Sequence, residues 1–346
     1  MSPGNKNGES STLTSSSLQA VLAAAALSRP LPQPAVGSAN PAASFPALWS
    51  YILPALDHIV RSHTNDNTKP PSIDIAFYSG IHSACYNYFT SPSDLMGAVQ
   101  VPARIDDSGN EFYEHLDKYF TDVARELLLG APTDDSALLA YVLPHFSRFS
   151  ASAKSVNRLL NYFNRHYVKR CVDEDKGWLR LSDIFEPEQT IVLSATNGTE
   201  NFAAQIQQKR LEELTKWGFV KGGSAASQAE AEACAEAASS LDRIIPLSSL
   251  AHRHLRIEFL EPLISVQKAG NKPRGKKKIP KSTPTPIPAA LAPKGRLGRA
   301  VEQLISSPSV ASKDKTRTLQ DLSYALKTVG VRPTHPLRKR LDAYLK

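Results

Sequence analysis

The sequence has few of the features that mark membrane proteins, disulfide-bonded secreted domains or most enzymes. Its three cysteines, Cys85, Cys171 and Cys234, include no C-x-x-C pair. An odd and scattered set gives no disulfide framework, which points to a reducing compartment, cytoplasm or nucleus. No apolar run approaches the roughly 18 residues that a membrane span needs. The Ala-dominated stretch 18–27 follows a Ser/Thr tract and predicts a disordered or weakly helical leader rather than a signal-peptide core. H-E-x-x-H and G-x-S-x-G are both absent, and the nine histidines lack the Cys or carboxylate spacing of a metal site. His252 and His254 are two apart and do not share a helix face. Gly270 to Lys276 has the spacing of a phosphate-binding loop. However, Lys277 stands where Ser or Thr would hold magnesium, Pro273 interrupts the loop, and no apolar strand precedes it. No catalytic residue, cofactor or metal site is expected.

Acidic residues are also missing from one long window. Between Glu261 and Glu302 there is none, while that window carries ten Lys and Arg residues, from Lys268 to Arg299. The net charge is +8, so this window alone exceeds the surplus, and the basicity is expected to sit on a linker rather than on a folded face. The run Lys272, Arg274, Lys276, Lys277, Lys278 and Lys281 fits a nuclear import signal, a nonspecific phosphate contact or a solvated linker. No aromatic is interleaved with it, which argues against base stacking.

What remains is helical. Residues 1–45 are rich in Ser, Ala, Pro and Asn and predict a disordered leader. From there apolar residues recur at helical spacing: Trp49 to Val60, then 74–91, then 109–130 with a stripe of Phe112, Leu116, Tyr119, Val123 and Leu127. Asp134 or Asp135 would cap a helix over 136–148. Ser150 or Ser152 would cap a longer one to about 171, with Val156, Leu160, Phe163 and Tyr167 buried. The spacing leaves 92–108 as a loop. It makes 183–247 a low-complexity insertion, either a polar helix or a disordered loop, and 248–266 a further helix. A Pro-rich basic linker follows over 267–295, and three short helices close the chain within 296–346, at 296–306, 315–328 and 336–345. Short connections without strand alternation imply an all-α helical bundle or solenoid.

Within the helix 74–91, Phe77, Ile81, Ala84 and Tyr88 form one stripe. Tyr78, His82, Cys85 and Phe89 form a second, with Tyr86 at its edge. One stripe suffices to bury a helix on a bundle. The second meets either other helices of the same domain or a partner, and Tyr is enriched at the centres of partner surfaces.

Three segments resemble the N-terminal region of cullins, the scaffolds of ubiquitin ligases. YSGIHSACYNYFTS (78–91) is similar to the family's L-Y-x-x-x-Y-N-Y-x-T-S helix. GNEFYEHLDKYFTDVARELL (109–128) is similar to its G-x-E-L-Y-x-x-L stretch. Arg148-Phe-Ser, followed by LLNYFNRHYVKR (159–170) and by Asp173, Glu174, Lys176 and Gly177, is similar to its most specific signature, in which the F-box-adaptor-binding members carry N-R-H-W-V-R-R. Tyr167 stands in place of that Trp. SLAHRHLRIEFLEPL (249–263) is a weaker match that lacks the family's Trp and Asp.

The resemblance implies a first cullin repeat with a foreign insertion over 183–247; it covers 73–182 well and the rest to the end thinly, within a cullin N-terminal-like helical domain over 46–182. A full cullin has three such repeats and a C-terminal region that recruits a RING partner, and this sequence stops after one repeat. The implied function is a non-enzymatic scaffold that binds a Skp-type BTB-fold adaptor of the F-box class. The implied contact residues are Tyr78, His82, Tyr86 and Tyr162, with His82 a departure from the usual Tyr; Arg158 falls off the buried stripe of the helix 152–171 and would either join this contact or lie on ordinary solvated surface. Nucleic acid is expected to bind only nonspecifically, through the basic linker. The alternative is a basic, partly disordered nuclear interaction protein that keeps only the cullin-like fold.

Overall fold

The computed structural model describes residues 30–34, 40–64, 66–90, 104–185, 199–266, 295–308 and 311–346. Most of the leader and the basic run Lys272, Arg274, Lys276, Lys277, Lys278 and Lys281 lie outside the described residues. Among those residues the structure is all-α, with a single isolated bridge between Leu31 and Ile73.

Helix α1 (Phe45–Arg61) starts at Ser44, whose hydroxyl accepts from the Ala47 N–H at 3.4 Å. It buries Leu48, Ile52, Leu56, Ile59 and Val60. Helix α2 (Ile75–Thr90) is capped by the Asp74 carboxylate, which accepts from the Ala76 N–H at 2.7 Å. A short bridge lies ahead of it. Leu31 donates to the Ser72 carbonyl at 3.1 Å and accepts from the Asp74 N–H at 2.9 Å.

Helix α3 (Arg104–Leu129) begins inside the stretch expected to be loop. Gly109, which reads as a helix start, sits within it for a steric reason. A Cβ at Gly109 would lie 2.2 Å from Cδ2 of the Tyr167 ring, so the close packing of two helices requires a glycine there.

Helix α4 (Leu138–Leu159) runs without interruption through Ser150 and Ser152, where a break between two helices was expected. Ser152 does not cap. It is fully buried, and its hydroxyl donates to the Ile59 carbonyl at 2.8 Å, fastening α4 to α1. The chain turns instead at Leu160 (φ −98°, ψ 29°). Helix α5 then follows as three stretches: Asn161–Phe163, a wider π turn Asn164–Val168, and Lys169–Cys171. Val156, Leu160, Phe163 and Tyr167 are all buried.

The Ala-rich stretch of the expected insertion is more than a polar appendage. Helices α6 (Thr199–Lys216) and α7 (Ala225–Ala238) close a small core of Leu214, Trp217, Phe219, Ala231, Cys234 and Ala235. Trp178 packs against both this core and the main one. The return strand of chain is stitched down. Tyr113 Oη accepts from the Ile245 N–H at 3.0 Å and donates to the Ile245 carbonyl at 3.2 Å, so one hydroxyl satisfies both backbone groups of a buried residue.

Helix α8 comprises Leu247–His254, a π turn Leu255–Leu260 and a last turn Glu261–Ile264. It packs along α3 and α4. Its Arg253 is fully buried and donates to the carbonyls of Ser240 (2.8 Å) and Arg243 (2.9 Å). His254 lies 2.7 Å from Asp117 and 3.0 Å from the Thr121 hydroxyl, both on α3. Helices α9 (Arg296–Ser306), α10 (Ser312–Thr328) and α11 (Pro336–Leu345) complete the bundle. One core runs from Phe45 to Leu341. Arg296 and Arg299 were grouped with the linker's charge, but both lie on α9 and pair with Asp135, at 3.1 and 2.8 Å.

Candidate functional site

The second stripe of α2 divides in the structure. Cys85 and Phe89 are buried along with Phe77, Ile81, Ala84 and Tyr88. Tyr78, His82 and Tyr86 are exposed, and Tyr78 and Tyr86 remain 40% and 51% accessible. Ile75 continues this edge toward the helix start and is 83% accessible. An isoleucine at i−3 from Tyr78 was legible as part of the stripe, but its position at the first helical residue hid it.

The turn at Leu160 places α5 beside this edge. Tyr162, half-buried, becomes the centre of an aromatic cluster. Its ring centroid lies 6.0 Å from that of His82, 5.5 Å from Tyr86 and 4.3 Å from His166, with stacked Phe89 at 6.5 Å. His166 is exposed and was not among the expected residues. Burial against the neighbouring rings pushes the Tyr162 hydroxyl above its ordinary pKa, with nearby Tyr86 and Cys85 adding to the effect. The Arg158 side chain is exposed, while its carbonyl accepts from Tyr78 Oη at 3.1 Å. That bond ties α2 to the end of α4. All five expected contact residues therefore lie on one surface formed by α2 and the α4–α5 turn.

A rigid floor supports the surface. Phe89, Phe112, Phe163 and Tyr167 form a continuous chain of ring contacts, edge-to-face for Phe89–Phe112 (5.7 Å) and Phe112–Phe163 (4.8 Å) and stacked for Phe163–Tyr167 (5.0 Å). Such contacts add about 0.5–1.5 kcal/mol each beyond burial. Two amides fix the orientation of α5. Asn164 Oδ1 accepts from the Leu247 N–H and Asn157 Oδ1 from the Ser248 N–H, both at 3.2 Å. Asn164 Nδ2 closes the network on Asn157 Oδ1 at 3.1 Å. Pro246, at the N-cap of α8, offers no side-chain acceptor, so these amides satisfy the orphan donors of that helix from across the bundle. The Asn164 of the cullin-like signature thus has a structural role.

Among the described residues, no cluster of His, Cys, Asp or Glu is placed to hold a metal ion, and no helix is long and apolar enough to cross a membrane.

Two curated proteins align with the chain. Over 132 residues it is 24% identical to Cell division control protein 53 of Saccharomyces cerevisiae, covering 36% of this chain and 16% of that protein. Over 129 residues it is 26% identical to Cullin-1 of Dictyostelium discoideum, covering 36% of this chain and 17% of that protein. The chain is cullin-like. It spans about a sixth of the length of these curated relatives. No family model and no solved structure matches it. The all-α bundle fits the cullin-repeat architecture that the resemblance implies.

Proposed function

We propose that this cullin-like chain is a non-enzymatic scaffold of a ubiquitin ligase pathway that binds a Skp-type BTB-fold adaptor of the F-box class. The contact surface is the exposed edge of α2 with the α4–α5 turn. The observation that carries this proposal is the aromatic cluster of His82, Tyr86, Tyr162 and His166. His82, Tyr86 and His166 are exposed around the half-buried Tyr162, which itself stacks on the buried Phe89. Tyrosines held in this way are pre-organised, with little rotamer freedom left to lose on binding. They are also a preferred residue type at the energetic centre of an interface. Ile75 adds an exposed aliphatic anchor at the end of the same edge.

The test is calorimetric titration of the full chain with a purified Skp-type adaptor. Truncating a central interface tyrosine removes about 2 kcal/mol or more. Tyr78→Ala with Tyr86→Ala should therefore weaken binding at least a hundredfold, because 1.4 kcal/mol is about tenfold. Helical content should stay unchanged. Wild-type chain that ignores the adaptors offered would overturn the proposal. So would a double variant that binds as tightly as wild type.

A further inference from the structure

Charge around the aromatic cluster has one sign. Helix α2 carries no Asp, Glu, Lys or Arg from Ile75 to Thr90. Residues 136–172, which supply α4 and α5, carry six Lys and Arg and no Asp or Glu. The chain as a whole does not impose this. Outside the basic window between Glu261 and Glu302, acids slightly outnumber Lys and Arg. Two of the six cations border the cluster. Arg158 stands on the last turn of α4, where its carbonyl receives the Tyr78 hydroxyl at 3.1 Å. Arg165 lies on α5 at i+3 from Tyr162, beside His166 at i+4, so the three share a face of that helix. Both arginines are exposed, and neither has an ion-pair partner among the described residues.

Carboxylates on the neighbouring elements have other partners. Asp74 caps α2 through the Ala76 N–H at 2.7 Å. Asp57, the single acid of α1, is held by Arg61 and accepts from Tyr119 Oη at 3.2 Å. On α3, Glu114 accepts from Asn110 at 2.7 Å, and Glu111 is one turn before His115, whose ring packs on Phe45 and Trp49 of α1. Farther along α5, Lys169 has Asp173 at its i+4 position and Arg170 pairs with Glu174 at 3.6 Å. The uncompensated positive charge is therefore at the Arg158–Arg165 end, beside the tyrosines.

We propose that the partner face docked on this surface is acidic, with carboxylates set against Arg158 and Arg165 around an apolar patch that covers Tyr78, Tyr86 and Tyr162. This rests on the adaptor reading of the α2 surface and states the chemistry of the adaptor face that meets it. A guanidinium with no carboxylate of its own chain attracts one from the partner and matches its geometry with two parallel donors. A cationic partner face would be repelled. Nucleic acid is the poorer fit. Tyr162 already packs against Phe89 and His166, at 20° and 31° between ring planes, so it is not an open platform for a base.

The test is surface plasmon resonance of the full chain with a purified Skp-type adaptor across a salt series. Arg158→Glu with Arg165→Glu should lower the association rate by about tenfold or more at low salt and flatten its salt dependence, because charge steering acts on association. Arg158→Gln with Arg165→Gln should fall between this variant and wild type. Circular dichroism should match wild type in both, since the two side chains are exposed. Lys313→Glu with Arg317→Glu changes the net charge by the same amount on α10, which packs against α4, α7, α9 and α11, and should leave the rate close to wild type. Tyr78→Ala with Tyr86→Ala should act mainly on dissociation and keep the salt dependence. Binding that is weakened in the tyrosine variant, but keeps the wild-type association rate and salt dependence in the arginine variant, would overturn this proposal and leave the adaptor reading intact. Equal slowing by the two charge reversals would also overturn it, by assigning the effect to net charge. Wild-type chain that binds no adaptor would overturn both.

Discussion

Glu236→Gln should stabilise the protein near neutral pH, against the usual direction of a core substitution. Glu236 lies on α7, is 9% accessible, and receives one hydrogen bond, from the Ser249 hydroxyl to Oε2 at 2.6 Å. Burial pushes its carboxyl up to about 8, and the nearby Glu232 adds to the rise, while Ser249 and Arg210 oppose it only in part. Because the folded pKa lies above the ordinary value of 4.5, the stabilising contribution is fully present below pH 4.5. It declines as pH rises toward 8, at about 1.4 kcal/mol per pH unit. At pH 7 the loss is on the order of 3 kcal/mol relative to acid. Gln keeps the acceptor oxygen for Ser249 and removes the titration. His252 has the opposite dependence. Burial, with Lys154 nearby, lowers its pKa to about 4, so its contribution fades as pH falls from 6.5. That effect is common to both proteins and cancels in their difference. Urea unfolding followed by circular dichroism at pH 5, 6, 7 and 8 should show the variant's advantage growing with pH. An advantage that does not change with pH would mean that Glu236 is ionised in the fold, and the argument would fail.

Gly109→Ala should lower stability by about 1–3 kcal/mol, because the added methyl meets the buried Tyr167 ring, and thermal unfolding would show it. Asn157→Ala with Asn164→Ala should remove the acceptors for the first two amides of α8 and cost about 1–2 kcal/mol, with amide exchange accelerated at Leu247 and Ser248. Ser152→Val should destabilise by about 1–3 kcal/mol in spite of its greater apolarity, because its hydroxyl bond to the buried Ile59 carbonyl is lost; chemical denaturation would measure this.

Local periodicity exposed what local forces decide. The inner stripe of α2 and the buried positions of α5 follow from spacing alone, as do the last and first helical residues of α9 and α11. The failures involve partners distant in sequence. Ser152 has the composition of a cap, and its contact with Ile59 across 93 positions makes it a helix-interior residue instead. Arg296 and Arg299 resemble linker charges until Asp135, more than 160 positions earlier, is found between them. The Ala-rich α7 looks like low complexity because alanine carries no strong periodic signal, yet small side chains let it pack closely on α8. In the candidate site, Tyr78, His82 and Tyr86 were legible as one edge. His166 was legible as the i+4 neighbour of Tyr162 and was missed, while the turn at Leu160 is what brings the pair to the edge of α2.

The core that joins Phe45 to Leu341 sets a timetable for synthesis. Helix α4 leaves the ribosome long before α8, α9 and α10, against which its apolar face packs. At about 5–20 residues per second, the stretch from residue 182 to residue 341 takes on the order of 10–30 s to make. Throughout that interval Phe146 lacks the His252 and Tyr324 rings that cover it in the finished fold. Local helices form within microseconds and then wait. The nascent chain should therefore depend on chaperones, and a fragment ending near residue 182 should aggregate where the full chain does not.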